Sequence, residues 1–146
     1  MVWKSSGMSD EPQWWYCLRH NRPERNGDCP GKDRLGRDFY HRALQAAVAI
    51  YGHGHAWTNF VLGLEPLETL LAGCKHLAAQ GIVPGASVLH LDEGATIRGI
   101  APPTYDEAVW FYRQLASMYD EFGVHPHFDA LALRSSLANE AFVGRL

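Results

Sequence analysis

The sequence predicts an α/β fold of about three parallel strand–helix units, preceded by an irregular N-terminal segment. Three observations predict it. Apolar runs of strand length alternate with stretches whose apolar residues recur at helical spacing. Gly or Pro punctuates the turns between them. Residues 1–37 show neither pattern, so they separate from 38–146 as a polar, turn-rich segment ahead of the domain.

In chain order, residues 1–37 carry turn signals at Asn26-Gly27-Asp28 and Pro30-Gly31 and one aromatic cluster, Trp14-Trp15-Tyr16. Asp38 is the expected N-cap of the first helix, because a short acceptor side chain there satisfies an orphan backbone N–H. Tyr40, Leu44, Ala47, Val48 and Tyr51 form its apolar stripe, and Gly52 ends it. His53-Gly54-His55 is a loop leading into the first strand, Asn59-Phe60-Val61-Leu62-Gly63-Leu64. Glu65-Pro66 breaks that strand, and proline suits the first turn of a helix, where its missing N–H costs nothing. Leu67, Leu70, Leu71, Cys74, Leu77 and Ala78 line one face of the helix that follows, and Gly81 fits the left-handed position beyond its end.

A second strand is expected at Ala86–Leu91, followed by a long loop from Asp92 to Pro103. Thr104 and Glu107 make a capping box opening a helix lined by Ala108, Phe111, Tyr112, Leu115, Tyr119 and Phe122 and stopped at Gly123. A third strand is expected at Phe128–Leu133. Ser135 or Ser136 would cap a last short helix running to about Phe142.

With 146 residues, 47% hydrophobic and 20% charged, the chain has the bulk properties of one soluble globular domain. A net charge of −3 argues against a nucleic-acid partner. The segment to residue 37 carries +2 and the remainder −5. No apolar run approaches the ~20 residues of a membrane span, and no signal-peptide pattern opens the chain, so no membrane partner is expected. Three cysteines, an odd and low count, speak against a disulfide framework and for a cytoplasmic protein with reduced thiols.

Asn59 to Thr69, then Gly81-Ile82-Val83-Pro84, Ser87-Val88-Leu89-His90 and Pro102-Pro103-Thr104, resemble the C-terminal half of radical S-adenosylmethionine enzymes of the biotin-synthase-like branch. The resemblance runs from about Asp38 to the end of the chain. It implies a partial (half) TIM-type barrel, whose fifth and sixth strands pack against the nucleoside of S-adenosylmethionine. Carried over, Val61, Gly63 and Glu65 would line that pocket. Ser87, Val88 and His90 would offer backbone groups to the adenine edge.

The family's 4Fe-4S cluster is held by a C-x3-C-x2-C loop, and Cys17, Cys29 and Cys74 do not have that spacing. A cluster is therefore not supported by this chain. The expected function is a fragment or subunit that keeps part of the nucleoside pocket and does not catalyse alone. The alternative is a non-catalytic interaction module or degenerate remnant keeping only the fold. A half-barrel leaves a sheet edge and interior face to cover, so self-association or a complementary barrel-half polypeptide is the expected partner. Residues 1–37 separately resemble the opening of a group of short bacterial proteins, from which no activity transfers.

Several residues admit two readings. Cys17, His20 and Cys29 could supply zinc ligands, with His41 or water as the fourth, or could be a solvated tail with free thiols. The pairs His53/His55 and His125/His127 fall at the amino ends of strands, away from the usual ligand face, and read as surface loops. Glu65 could line the pocket or favour the positive end of the following helix. His90 with Asp92 and Glu93 could face a substrate or solvent. Cys74 reads as a buried, inert thiol.

Overall fold

A computed structural model describes residues 30–91, 100–126 and 137–146, with backbone only over 30–37. Cys17, His20, Cys29, the Trp14–Tyr16 cluster, Asp92, Glu93, His127, the expected third strand at 128–133 and the Ser135/Ser136 cap lie outside those residues.

Helix α1 spans Pro30–Tyr51. The expected start at Asp38 is thereby corrected, and residues 30–37, expected to be irregular, are helical. Proline is pre-organised for a first helical position, and an exposed Asp inside a helix costs only about 0.7 kcal/mol relative to Ala, so Asp38 is too weak a signal to hold the boundary. Leu44, Ala47 and Val48 pack against the core as their spacing predicts, whereas Tyr51 at the end of the stripe is exposed. The Gly52 N–H closes on the Val48 carbonyl at 2.8 Å, with φ at 95°.

Strand β1 is Ala56–Leu62 and helix α2 is Leu67–Ala78. β1 begins three residues before the expected Asn59, because the run that matters alternates: Ala56, Phe60 and Leu62 are buried while Trp57 is exposed and Asn59 and Val61 are half-buried. In α2, Leu70, Gly73, Cys74, Leu77 and Ala78 are buried. Gly81 ends this unit at φ 78° and accepts a hydrogen bond from the Gly54 N–H at 2.8 Å, tying the amino end of β1 to the start of the next strand.

Strand β2 is Ile82–Val88, against the expected Ala86–Leu91. The two strands form a parallel sheet in the register Ala56↔Ile82 to Leu62↔Val88. The displacement has a physical reason. Pro84-Gly85 has the composition of a turn, but here both residues are inside the strand. The Leu89 N–H donates to the Leu62 carbonyl at 2.9 Å, so odd-numbered residues of β2 bond to β1 and even-numbered ones face outward. Pro84 therefore falls where its missing N–H removes no bond between the two strands. Gly85 leaves room for its neighbours: a Cβ there would stand 2.9 Å from Trp57 Nε1 and 3.2 Å from Asn59 Oδ1.

Helix α3 spans Tyr105–Phe122 and α4 Leu137–Phe142. The capping box on α3 is complete. Glu107 N–H donates to Thr104 Oγ1 at 3.3 Å, and Thr104 N–H donates to Glu107 Oε2 at 2.8 Å. Gly123 closes the helix in the left-handed conformation at φ 61°. Phe111, Tyr112, Leu115, Met118 and Tyr119 are buried and join Phe60, Leu62, Leu70, Leu77 and Ile82 in one core. Among the described residues the architecture is α/β, with a two-stranded parallel sheet and helices packed on it.

Candidate functional site

The carboxyl ends of β1 and β2 lie side by side, as parallel pairing requires, and six sequence-singled residues sit there or just beyond. Pleating divides them. Val61 and Ser87 are register partners and share a sheet face with Trp57, Asn59 and Gly85. Val88, opposite Leu62, belongs to the other face. His90 lies past the strand and is exposed, and Ser87 and Val88 are exposed as well.

Asn59 and Trp57 were not singled out from the sequence as site residues. Asn59 Nδ2 donates to Ser87 Oγ at 3.0 Å and to its neighbour's carbonyl, Phe60 O, at 3.0 Å. The period-two spacing of residues 57, 59 and 61 was the available signal, and it is visible only once the strand is begun at Ala56. The face thus offers one amide, one hydroxyl and the edge of a half-exposed indole.

Gly63 turns the chain after β1 at φ 109°, a conformation that L side chains rarely adopt. A Cβ at Gly63 would meet Pro103 Cδ at 3.0 Å, Leu89 Cβ at 3.2 Å and the Ala101 carbonyl at 3.6 Å. The absent side chain is thus filled by the chain itself, which returns over the corner at 101–103. Glu65 follows, half-buried, with both carboxylate oxygens shielded from solvent at the amino end of α2.

The chain is 29% identical over 123 residues, 82% of its length, to the bacteriochlorophyllide c C-7(1)-hydroxylase of Chlorobaculum limnaeum. That similarity supports a distant relationship to radical S-adenosylmethionine enzymes. The matched region is 30% of the hydroxylase, so the chain spans under a third of that relative's length. No family model and no solved structure matches the chain.

The sequence has no C-x3-C-x2-C, and among the described residues no group of three or more His, Cys, Asp or Glu is placed to hold a metal ion. Cys74 is buried on α2 and carries no disulfide. Among the described residues no helix is long and apolar enough to cross a membrane. His53, at the opposite end of the sheet, hydrogen-bonds through Nε2 to the Phe122 carbonyl at 2.9 Å, and the His125 ring stacks edge-on with Phe142 at 5.6 Å. Both fasten neighbouring elements together.

Proposed function

We propose that this chain is a fragment or subunit of a radical S-adenosylmethionine enzyme that retains part of the nucleoside-binding surface and does not act as a catalyst alone. The likeness to the bacteriochlorophyllide hydroxylase across most of the chain carries the reading. The geometry at the strand ends is compatible with it. Val61, Ser87 and Asn59 gather polar atoms and an aliphatic edge on one face, and ligands of α/β folds bind beyond the carboxyl ends of strands. Glu65 and His90 follow β1 and β2 in the chain, Gly63 turns the chain after β1, and Val88, on the other face, would contribute backbone only. S-adenosylmethionine, when bound, would supply the radical precursor. The residues of this chain would bind and orient its nucleoside, while cluster ligands would come from another polypeptide segment. The strand pair would then be part of a half-barrel completed by self-association or by that segment.

Isothermal titration calorimetry with S-adenosylmethionine tests the reading. The expected result is one binding event, weakened at least tenfold in Ser87→Val. Silence at millimolar ligand would leave the second reading, a non-catalytic module that keeps the fold, which the filling of the Gly63 corner by Pro103 and Leu89 favours.

A further inference from the structure

Away from the strand ends, α1 and α2 bring two imidazoles together. The rings of His41 and His76 stand 5.6 Å apart between centroids, tilted by 31°. With metal–nitrogen bonds of about 2.0–2.1 Å and a tetrahedral angle, two imidazoles on one zinc ion have their centres about 5 Å apart, a spacing close to that of this pair.

Gln80, just past α2, organises one of the rings. Its amide nitrogen donates to the His76 carbonyl at 3.0 Å, which makes its oxygen the acceptor. That oxygen accepts from Gln45 Nε2 at 2.9 Å and lies 3.0 Å from His41 Nε2. His41 therefore carries its proton on Nε2 and its basic lone pair on Nδ1. Metal-binding histidines are held in the same way, one ring nitrogen donating to an oxygen while the other meets the ion.

We propose that His41 and His76 form a two-imidazole site for a divalent transition-metal ion of the zinc, nickel or copper type, with Gln80 as the residue positioning His41. Each ring gives one nitrogen to the ion, exchanging whatever that nitrogen holds at rest, and water completes the coordination. The bound ion clamps α1 to α2.

The probe is Zn²⁺ alone, titrated into the full chain by calorimetry and followed by nitrogen-15 NMR of the histidine rings. One equivalent binds, and the His41 and His76 resonances move together. His41→Asn and His76→Asn each weaken binding at least tenfold. Gln80→Ala weakens it roughly 10–100-fold and redistributes the His41 tautomer, a signal that a purely structural role would not move. A Cys17→Ser/Cys29→Ser double variant keeps the affinity, and Ni²⁺ and Cu²⁺ compete in the order Zn²⁺ and Ni²⁺ below Cu²⁺. Unchanged affinity in either histidine variant, or loss of binding in the cysteine variant, overturns the proposal.

Discussion

The hydroxyls of Tyr112 and Tyr119 reach out of α3 to the carbonyls of Ala86 and Pro84, two outward-facing acceptors on β2. Burial pushes the Tyr112 phenol up to about 12, and burial, with Cys74 and Tyr112 nearby, pushes Tyr119 up further. Because these folded-state values exceed the unfolded value near 10, the stability they contribute is complete below about pH 10 and is lost as pH rises through the folded values. Absorbance titration should therefore show two of the six tyrosines ionising only with alkaline unfolding. Tyr119→Phe should cost about 1–3 kcal/mol in urea denaturation, since it leaves a buried carbonyl unmet. Gly63→Ala should cost at least about 1 kcal/mol by the same measurement, from the positive φ and the tight approach of Pro103. The sequence showed that Gly63 was special and that the tyrosines were core. It could not show that Pro103 would occupy the glycine's missing side chain, or that the hydroxyls had carbonyls to meet, because both depend on contacts between distant segments.

Among elements, α3 was the most legible, since its cap, apolar face and stop are all local chemistry. Thr104→Ala should destabilise by about 1 kcal/mol, read as a lower midpoint in thermal unfolding, by removing the acceptor for the Glu107 N–H. The same hydroxyl and the Thr104 N–H hold the exposed Glu107 carboxyl below its usual pKa, so this contribution is present above about pH 4.5 and is lost as acid protonates it. α2 was equally readable from its apolar period and Gly81. β2 was displaced because Pro84-Gly85 has the composition of a turn. Whether a proline breaks a strand depends on which way its nitrogen faces, and the register, not the local sequence, decides that. α1 was misplaced at its start for the opposite reason: Asp38 is a good cap wherever a helix begins, but the helix had already begun.

At the scale of the molecule, the described residues form two parallel strands carrying helices over one core, yet Trp57, Ile50 and Tyr51 remain 52%, 73% and 68% exposed. Such residues favour association when they form one patch. Light scattering coupled to size-exclusion chromatography should give a mass above 16.3 kDa at micromolar concentration, and Trp57→Lys should shift it toward that of one chain. The α/β class was legible because alternation of periods is a property of the whole string. Of the candidate site only its place at the strand ends was legible, because pleating, which separates Val61 and Ser87 from Val88, depends on where each strand starts.

The seat that Gly63 provides has one further consequence. Leu89, leaving β2, and Pro103, approaching α3, both rest against the same glycine, so the connection between them departs and returns at one point. An insertion point of this kind is already closed. Lengthening the intervening stretch should add only about 0.6 kcal/mol per doubling of loop length. The described ends, Leu89 and Pro103, therefore set the span that any added sequence between them has to close. A variant with a Gly/Ser stretch inserted in that segment should unfold at nearly the same urea concentration as the original.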